Sequence, residues 1–528
     1  MMNMPERIDI NPEQLAALLK RAKDGLENKD YEIIKAMADT LSFLSQVSDE
    51  KAVTIKRLLR MLFGDKTEKA EKLLGKQNHR SDTEKKTRNG EEKPKGHGRN
   101  GVADYTGAKK IKVSHQNLKP AERCPGCEKG KIYPMKRPAT VVRVTGKAPL
   151  QATVYEMERL RCNLCGEIFT AKTPEGVGEE KYDAASGAMI GLLKYGSGLP
   201  FNRIEQLQGS LGVPLPASTQ WEIADAVANK AVPVYDELIR QAAQGDVLYN
   251  DDTGNKILSL IKEQMEKDDD FSRKGMFTSA ILSTVGGRKI ALFFTGRNHA
   301  GENLADVLGK RKSGLDPPIQ MCDALSRNLP KELKTILANC LVHGRRNFVD
   351  LLASFPEQCR YVIELLGEVY KNDQVTKDQK LSPDERLLYH QTHSKPLMDE
   401  LEDWLYVQME EKKVEPNSAL GKAISYMQNH WKPLTLFLKV PNAPLDNNLC
   451  EQVLKRAILH RKNSLFFKTQ RGAYVGDLFM SLIHTCSLAK VNPFDYLTVL
   501  QEYASQVRKN PQNWMPWNYK NALQKTTA

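Results

Sequence analysis

The spacing of apolar residues predicts a helical region at the start of the chain. No Gly or Pro occurs between Glu27 and Phe63, and apolar residues recur there at helical spacing. The pattern predicts helix over residues 11–75 with heptad character, interrupted at Ser48 and Lys51. Two shorter helices or an imperfect coiled coil fit it better than one long zipper. The apolar face would serve either self-association or packing on the rest of the chain.

A change of period near residue 240 predicts a passage from helices to strands. Residues 180–240 favour short helices punctuated by Gly198 and the GVPLPAS stretch, which is typical of a helix-turn-helix but also of any small helical bundle. After Gly245, DVLYNDDT predicts a short strand that runs into two acids, and MFTSAILSTVGGRKIALFFT predicts two strands around a Gly-Gly turn. PPIQMCDALSRN predicts a further strand that ends at Asp323.

The stretch APLDNNLCEQVLKRAILHRKNSLFF predicts a helix with Glu451 in its first turn. Asp446 to Asn448 can cap it, and Asn448 followed by Glu451 also resembles a capping box, in which the glutamate only satisfies a backbone amide. The order strand-acid, hairpin, strand-acid, helix-acid is the one with which a ribonuclease H-like fold holds divalent ions at adjacent strand tips. It makes Asp251, Asp323 and Glu451 candidate ligands for two Mg²⁺ or Mn²⁺ ions per active site, suited to displacement at phosphorus. Acids that did not meet in space would be ordinary surface charge.

The charge balance favours a polyanionic partner. Of 528 residues, 78 are Lys or Arg and 65 are Asp or Glu, a net charge of +13, and nucleic acid is the commonest partner of such a chain. We find no run of eighteen apolar residues and no signal-peptide pattern, so we expect a cytoplasmic, nucleoid-associated protein without a membrane segment. Residues 76–113 hold eleven basic residues and five acids, which predicts a flexible linker. Its Arg99, Lys109 and Lys110 either contact phosphates or are simply solvated.

Four of the nine cysteines form two C-x-x-C pairs, Cys124 with Cys127 and Cys162 with Cys165. Two thiolate pairs on tight turns make a tetrahedral zinc site, whereas a redox motif rarely occurs twice in one chain. We therefore expect one structural Zn²⁺ in a zinc ribbon. A closed shell of four thiolates leaves no position for water, so this ion would fold a binding module and not catalyse. The other five cysteines are scattered, and all but Cys340 are typical of small buried apolar residues.

Several motifs together make the chain similar to the insertion-sequence-66 family of transposases, a branch of the DDE transposases. They are LLRMLFGDKTEK, the GHGR linker, the paired C-x-x-C ribbon, NDDTGN, IQMCDALSRN, CLVHGRRNF, LDNNLCEQ with HRKNSLFF, and the terminal NPFDYLTVL with MPWN. The resemblance covers nearly the whole chain, and the motifs are specific in combination, although each alone is weak.

The resemblance implies a three-carboxylate active site. The first Asp of the family matches Asp251, the second matches Asp323, and the Glu matches Glu451. Asp252 remains an alternative to Asp251, because successive side chains of a strand face opposite sides and only one of them can point into the site. The long separation of the second and third acids implies a helical insertion at about residues 350–440.

A C-x-x-H pair, Cys340 and His343, matches a signature that recurs between the second and third acids in several DDE branches. Structural packing at a strand end and direct contact with DNA or the active site both explain such a pair. Basic residues beside it and around the Glu451 helix are better candidates for phosphate contacts. They are Arg345, Arg346, Lys455, Arg456, Arg461 and Lys462. Lys455 lies one turn from Glu451, so an intrahelical ion pair is its alternative role.

The predicted function is DNA transposition by metal-dependent cleavage and transfer of strands. The resemblance implies that the protein binds double-stranded DNA at the terminal inverted repeats of a bacterial insertion sequence and at the target. It also implies a homo-oligomer and companion proteins of the same element. Two alternatives stay open. One is a catalytically inactive zinc-ribbon DNA-binding protein, and the other is a ribonuclease H-like nuclease that hydrolyses without joining.

The predicted architecture is multidomain α/β, with a ribonuclease H-like core that contains a helical insertion. The predicted segments are a helical, coiled-coil-like region at 1–75, a basic linker at 76–115, a zinc ribbon at 116–175, a helical, helix-turn-helix-like domain at 176–240, the two parts of the core at 241–349 and 441–490, the insertion at 350–440, and a C-terminal tail at 491–528.

Overall fold

The computed structural model describes most of the chain from residue 180 onwards. The described residues are 180–266, 275–331 and 333–527, the shorter pieces 118–123, 125, 131–133, 148–161 and 168–177, and part of 19–35. The described residues between 19 and 35 are helical, as the apolar pattern predicts. The residues predicted to bind zinc in the ribbon and phosphates in the linker lie outside the described residues, and their roles stay predictions. They are Cys124, Cys127, Cys162, Cys165, Arg99, Lys109 and Lys110.

The secondary structure follows the predicted passage from helices to strands and back to helices. The described part of residues 159–308 forms β1 (Arg159–Arg161), β2 (Ile168–Thr170), α1 (Ala184–Gly191), the π-helical turn Leu192–Gly196, α2 (Phe201–Ser210), α3 (Ala217–Ala242), β3 (Val247–Gly254), α4 (Leu258–Glu266), β4 (Phe277–Val285), β5 (Arg288–Gly296) and α5 (Ala300–Leu308).

The remainder is mostly helical. Residues 319–438 form β6 (Ile319–Cys322), β7 (Ile336–Asn339), α6 (Leu341–Leu351), α7 (Pro356–Asp378), α8 (Pro383–His393), α9 (Lys395–Glu410), α10 (Ala419–Asn429) and α11 (Trp431–Leu434). Residues 448–527 form α12 (Asn448–Ser464), α13 (Gln470–Leu488), α14 (Pro493–Glu502), α15 (Ala504–Lys509) and α16 (Tyr519–Thr527). Short 3₁₀ turns lie at Ser326–Asn328, Leu436–Leu438 and Pro511–Trp514.

The chain divides into two compact units. We call them the core unit, which comprises Arg80–Pro318, Arg327–Lys334 and Asn448–Ala528, and the insert unit, which comprises Met1–His79, Ile319–Ser326 and Thr335–Asn447. The fold is mixed α/β and mostly helical. The segment predicted as an insertion is helical, and its unit also includes β6 and β7, which precede that segment. Helices α1 and α3 pack on α14 and α13 within the core unit.

The core unit is built on an antiparallel sheet in which β4 lies between β3 and β5. The turn between β4 and β5 consists of Gly286 and Gly287, whose φ angles are 53° and 77°. A two-residue hairpin loop needs such positive φ values to match the twist of its strands, and glycine adopts them without strain. The predicted hairpin is therefore confirmed.

Helix α13 protects the outer edge of β5. Three of its side chains, spaced one turn apart, accept hydrogen bonds from alternate backbone amides of the strand, because one helical turn roughly matches two strand residues. The pairs are Thr485 with Ala291, Ser481 with Phe293, and Asp477 with Thr295. An edge strand covered in this way cannot recruit another chain.

The insert unit combines a parallel pair of strands with a helical array. Strands β6 and β7 pair in parallel, and Cys322 lies opposite Asn339 at their carboxyl ends. Helices α7 and α8 are joined by buried Asp373, which contacts Lys377, Arg386 and His390 at 2.6, 2.8 and 3.4 Å. A search of the described helices finds none that is long and apolar enough to cross a membrane.

Candidate active site

Strand β3 carries two neighbouring acids, Asp251 and Asp252, to opposite faces of the antiparallel sheet. Their register partners on β4 are Ala280 and Ser279, and side chains alternate between faces along a strand. Oδ1 of Asp251 accepts a hydrogen bond from the backbone N–H of Asp252 at 2.8 Å. The two carboxylates therefore have different surroundings and can be assigned different roles.

Asp252 is held by an ion-pair cluster at the start of α5. Its Oδ2 lies 2.9 Å from Nδ1 of His299 and accepts a hydrogen bond from the N–H of Ala300 at 3.5 Å. Its Oδ1 lies 3.5 Å from a guanidinium nitrogen of Arg327, and only 2% of the side chain is exposed. A carboxylate buried at a helix N-terminus between two basic side chains stabilises the fold. Both oxygens of Asp252 therefore have partners within the protein.

Helix α12 lies on the other face of the sheet, the face of Asp251. Its Arg461 donates hydrogen bonds to Oγ1 of Thr253, at 2.9 Å, and to the carbonyl oxygen of Gly254. The side chain of Thr253 shares the face of Asp251, two residues earlier. Cys450, in the first turn of α12, donates to the carbonyl oxygen of Ala280 at 3.4 Å. Because Ala280 is the register partner of Asp251, this turn approaches the sheet beside Asp251.

Glu451 follows Cys450 in the first turn of α12, where the sequence predicts it. Its Oε1 is shielded from solvent and has no hydrogen-bond partner among the described residues. Burial of a carboxylate oxygen without a partner costs free energy. A metal ion is one partner that would compensate such an atom.

The carboxyl ends of β6 and β7 bring Asp323, Cys340 and His343 together in the insert unit. Asp323 follows Cys322 and Cys340 follows Asn339, so the first two leave neighbouring parallel strands side by side. Cys340 is the N-cap of α6, and His343 lies three residues later, on the same face of the first turn. One ligand atom from each of the three side chains lies within 4.8 Å of the other two.

Asp323 and His343 make a close contact of opposite charges. Oδ1 of Asp323 lies 2.9 Å from Nδ1 of His343, but neither atom meets the angular requirement of a hydrogen bond to any described residue. Burial lowers the pKa of His343, and the neighbouring Asp323 and Cys340 outweigh it and raise that pKa to about 10. Sγ of Cys340, fully buried, accepts a hydrogen bond from the N–H of Asn447 at 3.3 Å.

The basic residues predicted to contact phosphates differ in exposure. Lys455, Arg456 and Lys462 on α12 are exposed, and Arg346 on α6 is half-buried. Arg345 is buried, with 6% of its surface exposed. Its guanidinium therefore lies inside the insert unit and is not accessible to a phosphate. Arg461 is held against the end of β3 by the hydrogen bonds described above.

The core unit and the insert unit each offer a different set of ligands to a metal. Asp251 and Glu451 offer oxygen alone, which suits Mg²⁺ or Mn²⁺. Oε1 of Glu451, which has no hydrogen-bond partner among the described residues, fits the same use, because a cation would compensate a buried oxygen. Cys340 and His343 add sulfur and nitrogen beside Asp323, and that mixture suits zinc better than magnesium.

Sequence reasoning missed two features of these surroundings. It did not identify His299 and Arg327 as the partners of Asp252. The signal was present in part, since Glu302 follows His299 at capping-box spacing and accepts its backbone N–H at 2.9 Å. It also did not connect the C-x-x-H pair with Asp323, because the register of two parallel strands is not visible in a local pattern.

Comparisons with known proteins point to one family. The sequence profile described as "Transposase IS66 family" matches residues 181–475, more than half of the chain. Two relatives from Sinorhizobium fredii (strain NBRC 101917 / NGR234), "Uncharacterized protein y4jD" and "Uncharacterized protein y4hP", are each 26% identical to it. The alignments cover 64% and 62% of this chain, and 66% and 61% of the respective relative. The chain thus spans somewhat less than two thirds of the length of these relatives.

Proposed function

The chain belongs to the IS66 family of transposases, and we propose that it is the transposase of a bacterial insertion sequence, which cleaves and joins DNA strands at the ends of its element. The observation that carries the proposal is the position of Glu451. This acid lies in the first turn of α12, on the same side of the sheet as Asp251, with a buried oxygen that has no partner among the described residues.

We propose Asp251, Asp323 and Glu451 as the metal-binding carboxylates of a ribonuclease H-like active site. The first and third have their support in the core unit, through α12 and β3. The part of Asp323 rests on the family resemblance and on its position at the carboxyl end of β6. Two bound Mg²⁺ or Mn²⁺ ions would supply an activated attacking oxygen and charge neutralisation at the leaving oxygen.

The residues around these acids would hold them in place. The cluster of Asp252, His299 and Arg327 fixes the sheet from the opposite face, so that Asp251 keeps its direction. Arg461 fixes the end of β3 to α12 and with it the spacing between Asp251 and Glu451. Small displacements of a reacting group cost large factors in rate, so both contacts are positioning contacts.

The proposed substrate is double-stranded DNA at the element ends and at the target. The exposed basic residues of α12, Lys455, Arg456 and Lys462, are suited to the phosphate backbone. Sequence reading would come from the N-terminal modules, including the zinc ribbon with its structural Zn²⁺. A homo-oligomer and companion proteins of the same element belong to the same proposal.

Strand cleavage and joining on labelled DNA that carries the element's own ends tests the proposal. We expect product with wild type and Mg²⁺, and a loss of at least about 1,000-fold with Asp251→Asn, Asp323→Asn or Glu451→Gln, in the range for removal of an essential catalytic group. Each change keeps the size of the side chain and removes its charge.

Matched controls are Asp306→Asn in the core unit and Asp403→Asn in the insert unit, because both residues are exposed on helices. They should retain wild-type activity, and all five variants should retain DNA binding. Cleavage without joining would instead indicate a nuclease. DNA binding by an inert wild type would indicate a binding protein, and activity in any of the three acid variants would remove that acid from the site.

A further inference from the structure

The insert unit holds a second set of metal ligands that differs in chemistry from the carboxylates. We propose that Asp323, Cys340 and His343 form a binding site for Zn²⁺ at the carboxyl ends of β6 and β7. The ligand atoms are one carboxylate oxygen of Asp323, Sγ of Cys340 and one ring nitrogen of His343, all within 4.8 Å of one another. This set of oxygen, sulfur and nitrogen is one that zinc accepts and magnesium does not.

The backbone places the three ligands without adjustment of the fold. Parallel pairing of Cys322 with Asn339 puts the next residues, Asp323 and Cys340, side by side. The first turn of α6 then returns His343 to the same point, because residues three apart share a helix face. Secondary structure thus fixes all three ligands, and pre-organised ligands bind a metal with less ordering cost than ligands on loops.

Two details of the contacts favour a cation over a simple ion pair. Oδ1 of Asp323 and Nδ1 of His343 approach to 2.9 Å but lack hydrogen-bond alignment to each other or to another described residue. The two atoms are close enough to each other to bind one cation. The sulfur of Cys340 accepts the N–H of Asn447 at 3.3 Å, and outer hydrogen bonds of this kind orient metal ligands.

Three protein ligands leave the fourth tetrahedral position of zinc open to water, unlike the closed shell expected for the ribbon. On binding, Zn²⁺ gains bonds from oxygen, sulfur and nitrogen, and the protons held by the thiol and the imidazole leave to solvent. One consequence rests on the proposed function. Since Asp323 is also a proposed Mg²⁺ ligand, Zn²⁺ at this site would withdraw it from catalysis and inhibit strand transfer.

Metal binding to the full-length chain tests the proposal without any measurement of activity. Titration with Zn²⁺, followed by competition with a chromophoric chelator, gives the number of ions bound by wild type, by Cys340→Ala and by His343→Gln. We expect one ion fewer in each variant, or affinity for that ion at least about 10-fold weaker. The matched control is Cys359→Ala, which removes another buried cysteine of the same unit, on α7, and should bind as wild type does.

Co²⁺ as a probe identifies the ligands. The wild-type spectrum minus that of Cys340→Ala should contain a thiolate-to-metal charge-transfer band, and the subtraction cancels the signal of the ribbon. Should Cys340→Ala fail to fold, His343→Gln and Asp323→Asn decide the question by ion count. Equal ion numbers and equal affinities in wild type and every folded variant would overturn the proposal and leave Asp323 and His343 as an ion pair. If Zn²⁺ binds as expected while wild type with Mg²⁺ and without Zn²⁺ does not cut DNA, the proposed function fails and the zinc site stands.

Discussion

The insert unit and the core unit each contain a buried aspartate, and the two side chains differ in the charge of their partners. In the insert unit, Asp373 lies among Lys377, Arg386 and His390. Burial raises its pKa, but these partners outweigh it and hold the pKa well below its usual range. In the core unit, Asp477 accepts hydrogen bonds only from neutral groups, the N–H and the hydroxyl of Thr295, both at 2.6 Å.

The pKa of Asp477 shifts in the opposite direction from that of Asp373. Burial raises its pKa to about 7, and the two hydrogen bonds lower it only in part. Basic partners thus keep a buried carboxylate ionised. Without them, burial favours the protonated form or the binding of a metal ion. In the candidate site, Asp252 has basic partners, whereas Oε1 of Glu451 has no hydrogen-bond partner among the described residues.

The largest expected effect is that of Asp373→Ala in the insert unit. The change leaves His390, of which 1% is exposed, and the guanidinium of Arg386 without their carboxylate, so we expect a loss of about 3–5 kcal/mol in the free energy of unfolding. Urea unfolding measures it. The control is Asp378→Ala at the exposed end of the same helix, which should cost less than about 0.5 kcal/mol.

The same residue has a pH signature. The pKa of Asp373 is lower in the folded than in the unfolded chain, so its contribution is present above about pH 4 and is lost as the pH falls below that value. A stability difference between wild type and Asp373→Ala that did not shrink in acid would show that the basic partners do not stabilise the carboxylate's charge.

Asp477→Asn should have the next largest effect, with the opposite dependence on pH. The folded pKa, about 7, lies above the unfolded value, so the stability linked to this group is present below about pH 4 and is lost as the pH rises to about 7. Asparagine does not titrate, and Thr295 can turn its hydroxyl towards Thr278, 2.8 Å away. We expect the variant to gain about 4 kcal/mol relative to wild type between pH 4 and pH 8.

Thermal and urea unfolding between pH 4 and pH 8 measure how the stability difference between Asp477→Asn and wild type changes with pH. A variant that tracks wild type at every pH would mean that Asp477 is ionised in the folded chain at low pH, and that the contrast with Asp373 is false.

Asp251 and Asp252 allow the same comparison of stability costs within the candidate site. Asp252→Ala should cost about 2 kcal/mol, less than Asp373→Ala, because Arg327 is 47% exposed and can be resolvated. Asp251→Ala should cost less, about 1 kcal/mol, since the hydrogen bond it removes comes from the adjacent N–H of Asp252. Unfolding in the presence of a chelator compares the two, and equal costs would contradict the assignment of separate roles.

Local patterns predicted much of this arrangement. The Gly286-Gly287 hairpin, the strand that carries Asp251, the strand before Asp323 and the first-turn position of Glu451 are all confirmed. Each follows from a period, a turn dipeptide or a cap, which are properties of adjacent residues.

The partners of the acids could not be predicted in the same way. His299 and Arg327 lie far along the chain from Asp252, and α13 lies far from the edge of β5 that it covers. Such contacts depend on how whole elements pack, and many sequences with the same periodicity would pack differently. Buried charge was therefore the feature that the structure added to the sequence.

The smallest expected effect extends the comparison to basic side chains. Lys455→Gln and Lys462→Gln remove exposed charges on α12, and if both contact phosphates each should weaken DNA binding by about 1 kcal/mol at low salt and reduce the slope of log K against log salt by about 0.9. Arg461→Ala removes a charge already bonded to Thr253 and Gly254. It should leave that slope unchanged and lower strand transfer instead, because the end of β3 loses its support. A reduced slope for Arg461→Ala, measured by fluorescence anisotropy over a salt series, would place this arginine on the DNA and remove it from the positioning role.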